Sequence, residues 1–398
     1  MRINPLFVAS LQRRQSGLYA PPAEIVWEAP YNMSATSGTV TIENRNFDCT
    51  DTGDTAGAAY ATAAGAKYIF NNCRFRSKAA CVWSNYSIGL ELNNCIGECV
   101  NPGVNGVYNR GFLHGQYNWL VVRQCTMKGG GMRISTTNPT RLRIQENHAI
   151  NIEGRFSDGA GGYLTTSPSL LLTRQFFQIN GRTCGSTGDP ALIEWNYVQN
   201  TPGQSHPGGD MISMYGGASG LSTDPLKIRN NMLYGNNSYS PTTVTYSGRG
   251  IMLEAGTGGY IDIDDNIGAR TPGLVSINGD GHYSNVNIRR NKAYWSAHFG
   301  GSWLTLSTAP FGANASSTGT NQAWADNEWW YWDGGYYATG GVDRFVKNYT
   351  NSGNSEGTGW VEHFPLSEAT EDAVPATWFA LAAAAGKTQI GSTISPWW

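Results

Sequence analysis

Leu226-Lys227-Ile228-Arg229-Asn230-Asn231, Ile261-Asp262-Ile263-Asp264-Asp265-Asn266 and Val286-Asn287-Ile288-Arg289-Arg290-Asn291 are copies of one phrase, apolar–x–apolar–x–x–Asn. Apolar and polar residues alternate with the period of a β-strand buried on one face. Ile228, Ile263 and Ile288 are therefore expected to point into one core. The closing Asn can turn the chain while its amide bonds to the Asn one coil away, and stacked Asn ladders are favourable. Working outward, Leu142-Arg143-Ile144-Gln145-Glu146-Asn147 is a further copy. In Phe70-Asn71-Asn72-Cys73, Leu90-Glu91-Leu92-Asn93-Asn94-Cys95 and Leu120-Val121-Val122-Arg123-Gln124-Cys125, Cys takes the Asn place. Other copies end at Gln175, Asn196, Asn327 and Asn348, and Val40-Thr41-Ile42-Glu43-Asn44 is an imperfect first turn. Self-similarity at a step of roughly 20–50 residues marks a solenoid, and a β-sandwich has no reason to repeat one phrase in register. The phrase predicts an all-β chain: a parallel β-helix solenoid of roughly eleven to twelve coils.

Three regions follow. Residues 1–30 carry Pro5, Pro21, Pro22 and Pro30 without the phrase and read as an extended arm for assembly or attachment. Residues 31–358 hold the coils. In 359–398, Pro375 opens a run of helix formers that Gly386 stops. A short helix there is expected to cap the open end of the solenoid, which otherwise exposes strand edges. Phe7, Leu11, Trp397 and Trp398 have no repeat partner and are expected to bury against another chain or another domain, the two tryptophans on a neighbour in the same chain or another.

The composition narrows the function. A net charge of −2 argues against nucleic acid, which needs a basic patch. No apolar run is long enough for a membrane span. The first residues lack the apolar stretch of a secretory signal. Seven Cys, an odd number at spacings that fit neither zinc nor a CxxC pair, are expected as free thiols. Cys73, Cys95 and Cys125 in particular should be reduced and buried, which suits a reducing compartment.

The stacked Asn phrase and irregular coil length, over roughly residues 39–354, resemble the right-handed parallel β-helix superfamily, which includes pectate lyases, polygalacturonases and bacteriophage tailspikes. That resemblance implies a right-handed helix and leaves function open, because the superfamily hosts many activities. Gly279-Asp280-Gly281-His282 only partly echoes the polygalacturonase Gly-His-Gly, and no pectate-lyase signature is present, so no catalytic residue is carried over. The missing signal tilts the reading towards the tailspike side. The expectation is a virion protein, made in the host cytoplasm and homotrimeric, that recognises a surface polysaccharide and meets other virion proteins through its arm; whether it also cleaves that polysaccharide is left open. A secreted polysaccharide lyase or glycoside hydrolase is the alternative, and a non-catalytic adhesive solenoid a second.

Glycoside hydrolysis needs two carboxylates, which on a β-helix come from neighbouring coils. Glu254 and Asp280 stand at matching offsets before their phrases, and Asp210 follows the long insertion Thr201-Pro202-Gly203-Gln204-Ser205-His206-Pro207-Gly208-Gly209. With His282 these form the candidate catalytic set, and Tyr215 is near in register. The plainer reading makes Asp280 a turn residue between glycines. Trp329, Trp330, Trp332 and Tyr336 lie in an aromatic block suited to stacking on sugars, or else to sealing the core. No cofactor is expected. Asp262, Asp264 and Asp265 resemble a calcium cluster, but the strand reading sends Asp265 into the turn, and calcium needs 6–8 oxygens around one point.

Overall fold

The computed structural model describes residues 24–50, 57–100, 111–135, 138–154, 175–201, 209–235, 248–271, 273–295, 311–313, 316–332, 354–356 and 358–398. The chain winds through three parallel ladders in turn. The first runs from strand Tyr31–Met33 to Phe311–Ala313, and the second from Thr39–Glu43 to Ser355–Glu356. The third is an 11-stranded sheet from Asn46–Cys49 to Val361–Leu366. A parallel β-solenoid with eleven strands in its third ladder is what the repeated phrase predicts.

The register follows the phrase. Leu226 pairs with Ile261, and Ile261 with Val286; Ile228 pairs with Ile263, and Ile263 with Ile288. These residues are buried in one continuous core, in a column that begins at Ile42 and Phe70 and ends at Trp324. Full burial of each such side chain stabilises by about 1.5–3 kcal/mol.

Between the second and third ladders the chain turns through a single residue with positive φ. Asn44, Asn72, Asn94, Gln124, Glu146, Trp195, Asn230, Asp265, Arg290 and Asp326 take this place, with φ between 51° and 59°. Except at Arg45, which follows Asn44 and is exposed, the next residue points inward. Asn147, Asn196, Asn231, Asn266, Asn291 and Asn327 are fully buried there. Each Nδ2 up to Asn291 donates to the Oδ1 of the next, as from Asn196 to Asn231 and from Asn231 to Asn266 at 2.9 Å. That Oδ1 also accepts the main-chain N–H of the Asn before it. The cysteines extend the stack: Cys125 N donates to Asn147 Oδ1, and Cys95 N to Cys125 Sγ at 3.4 Å. All seven thiols are free and buried.

Gln175 is not a rung. Asn147 bonds directly to Asn196, 49 residues on, and Gln175 instead precedes Phe177–Asn180, a strand of the first ladder. An apolar run without the inward Asn was misread as a coil end. Asn348 lies outside the described residues.

The C-terminal helix is present as Glu368–Ala384, but Ser367 caps its start and Pro375 lies inside it. It covers a side of the solenoid rather than its open end. The reason is an outward apolar patch on the third ladder, made by Tyr197, Met232, Ile267 and Ala269 and matched by Val374 and Trp378 on the helix. Trp378 Nε1 donates to Asn230 O at 3.0 Å.

The tail then runs back towards the first coils. Lys387 Nζ pairs with Glu146 at 2.8 Å, Thr393 N donates to Asn94 Oδ1, and Trp397 Nε1 donates to Glu98. Trp397 packs edge-on against Trp27, and Lys128 lies over the Trp398 ring. Of the two partners left open for these tryptophans, the same chain or another, they take their own chain, where the Glu98 carboxylate, the half-buried Trp27 ring and the Lys128 ammonium receive them. Phe7 and Leu11 lie outside the described residues.

Candidate active site

The three predicted carboxylates belong to successive coils of the first ladder, whose strands Ile212–Tyr215, Ile251–Glu254 and Val275–Ile277 pair in succession. Asp210 lies two residues before its strand, Glu254 ends its own strand in register with Tyr215, and Asp280 lies in the turn beyond the third strand. Alternation turns Ile212, Met214, Ile251 and Leu253 into the core and leaves Ser213, Tyr215 and Glu254 on the outer face. Tyr215 is in register with Glu254 and is exposed.

The acids differ in environment. Asp210 is buried, and its Oδ1 accepts Arg249 N at 2.6 Å. Glu254 is half-buried and accepts Ser213 Oγ at 2.8 Å. Burial, then the neighbouring Asp210 carboxylate and more weakly Asp280, push its carboxyl up to about 7, against the opposing Ser213 hydrogen bond. Asp280 is exposed; its Oδ1 accepts Ala255 N at 3.2 Å and its main-chain oxygen accepts Gly256 N. Asp280 thus does both things the sequence allowed: it holds a turn and it stands beside Glu254. His282 is tied to the following coil, its Nδ1 within 3.0 Å of Thr318 Oγ1 and accepting Thr318 N.

The aromatic set lies elsewhere. Trp329 is a core residue, 1% exposed, and is no ligand platform; the strand Glu328–Trp332 turns it inward. Trp330 stacks between Tyr294 and His363, at 4.1 Å from each, on the third ladder. The backbone of Trp332 pairs with Leu366; its side chain and Tyr336 lie outside the described residues. The carboxylates and the described tryptophans of the block thus occupy different ladders.

The three aspartates read as a possible calcium cluster are engaged otherwise. Asp262 accepts Asn287 Nδ2, Asp264 pairs with Arg289, and Asp265 with Arg290. Among the described residues no group of three His, Cys, Asp or Glu is arranged to hold a metal ion, and no helix is long and apolar enough to cross a membrane.

Sequence reasoning missed Ser213 and Tyr283. Ser213 was legible as the outward residue between Ile212 and Met214; Tyr283, inward on Gly281–Arg289, carried no signal beyond its strand. Comparison with family models, with curated proteins and with solved structures finds no match to this chain.

Proposed function

We propose that this chain is a glycan-cleaving parallel β-helix of the tailspike kind, with the first ladder as its working face. The observation that carries the reading is Glu254, a half-buried carboxyl on the outer face of its strand, pushed up to about 7 by burial and by the charges of Asp210 and, more weakly, Asp280. A group at that value is half protonated near neutral pH, which suits a general acid for a glycosidic oxygen. Asp210, buried one coil away, keeps the proton on Glu254. Asp280, exposed one coil further, is the carboxylate that activates water or attacks the sugar. Tyr215 offers an exposed ring and hydroxyl beside the acid.

In this reading the protein is virion-associated and homotrimeric, and residues 1–30 join it to other virion proteins. The free buried thiols support folding in a host cytoplasm. The pectate-lyase-like superfamily remains the expected kinship, on the strength of the stacked Asn turn.

The test is a panel of bacterial surface polysaccharides offered to the parent, Glu254→Gln and Asp280→Asn. Release of new reducing ends by the parent, lost in both variants with binding retained, supports the proposal. Unsaturated uronate products would indicate a lyase. Binding without cleavage by the parent would indicate a receptor-binding spike, and unchanged cleavage in both variants would refute the assignment.

A further inference from the structure

We propose that Tyr283 is a positioning residue for Glu254, its hydroxyl tying together the main chain of the two coils on which Ser213 and Glu254 stand. This rests on the reading of Glu254 as the working acid. Tyr283 is wholly buried, and a buried hydroxyl without partners costs free energy that Phe would avoid. Here the hydroxyl sits among main-chain groups of both coils, Ala218 included. It donates to Met214 O at 2.5 Å, lies 3.3 Å from Glu254 O, and accepts Gly217 N at 3.2 Å. Met214 directly follows Ser213, so a side chain from one coil holds the strand ends of the two preceding coils. The Ser213–Glu254 hydrogen bond spans those same two strands.

Two glycines make the arrangement possible. A Cβ on Gly258 would meet the Tyr283 ring at 2.6 Å, so its absence is the space the ring fills. Gly217, at φ 87°, donates its N–H to the hydroxyl, and a Cβ there would lie 2.3 Å from Thr257 O. Core filling alone explains the ring; it does not explain a hydroxyl set among the ends of these strands.

The experiment uses the full chain and Tyr283→Phe, which removes only the oxygen. The titration of Glu254 is followed by carbon-13 carboxyl resonances, assigned by the signal missing from Glu254→Gln. The strand ends of Tyr283→Phe are no longer tied, so the carboxylate reaches water more readily. Its midpoint should fall from about 7 towards 4.5, the ordinary glutamate value. On a glycan the parent cleaves, kcat should drop about tenfold or more with KM little changed, since small misplacements of catalytic groups are costly.

A purely structural Tyr283 predicts lower thermal stability with the Glu254 midpoint unmoved in the folded variant, and that result overturns the proposal. Should Tyr283→Phe not fold, Tyr283→Met, which also removes the oxygen and leaves an unbranched apolar side chain in the same space, must lower the midpoint in the same sense; an unchanged midpoint there overturns it equally. The titration is independent of turnover. A parent that cleaves nothing, yet shows the shift, refutes the catalytic reading and leaves the positioning role standing.

Discussion

The same turn is built two ways along one molecule. From Asn147 to Asn327 the inward residue is Asn, and each amide both donates to and accepts from its neighbours. At Cys73, Cys95 and Cys125 it is a thiol, which makes longer contacts of 3.3–3.7 Å to main-chain oxygens such as Ile42 O, Phe70 O and Leu92 O. The residue before it has the same left-handed backbone in both halves: φ is 51° at Asn94 and 56° at Asn230. The turn therefore does not need Asn. The backbone sets the shape, and the inward side chain sets how strongly one coil holds the next.

The largest effect expected from that difference is at Asn231. Replacing it with Ala strips the acceptor from both the main-chain N–H and Nδ2 of Asn196, and the donor from Ile193 O. Buried unpaired groups of this kind cost about 1–3 kcal/mol each, so denaturant unfolding should show a loss of about 4 kcal/mol. Cys125→Ala in the thiol half should cost about half as much, because it removes a small apolar group and weak sulfur bonds. Cys125→Asn sharpens the comparison. Cys125 N already donates to Asn147 Oδ1, and an amide there adds a second donor to the same acceptor, so stability should stay within about 1 kcal/mol of the parent. Equal losses for Asn231→Ala and Cys125→Ala would break the distinction between the halves.

A smaller effect is expected at the site, with opposite sign. Glu254 titrates higher in the folded chain, at about 7, than its ordinary 4.5. The native state thus holds more protons between those values, and stability is lost as pH rises through them. Glu254→Gln removes that loss: the variant should be more stable than the parent at pH 8 by about 1–2 kcal/mol after discounting for partial exposure, with the gap closing near pH 4. Thermal melts across pH check this. The smallest effect is at the tail, where Trp397→Ala should cost about 1 kcal/mol, seen as earlier proteolysis of the C-terminal segment.

The ladder was legible because one phrase carries strand period, core column and inward Asn together, so Ile228, Ile263 and Ile288 could be aligned without coordinates. Gln175 misled because an apolar run resembles the phrase when the Asn is missing. The lateral docking of the helix was not legible. It depends on Met232 and Ile267 facing outward in short strands, where a shift of one residue reverses every side chain. Glu254 and Asp280 could be aligned by offset from the phrase, whereas Asp210 follows a long insertion that breaks the offset, and it lies buried before its strand rather than at the strand end where Glu254 stands. The aromatic block could not be resolved, since Trp329 and Trp330 are adjacent and alternation sends one inward and the other out. Tyr283 is a matter of reach across coils, which no local pattern records.

Burial and the carboxylates of neighbouring coils make Glu254 an acid poised near neutral pH. Carbon-13 titration of its carboxyl in the intact parent, with Asp210→Asn beside it, reads this directly. The midpoint should lie at about 7 in the parent and lower once the Asp210 charge is gone. A parent midpoint at the ordinary 4.5 would contradict it.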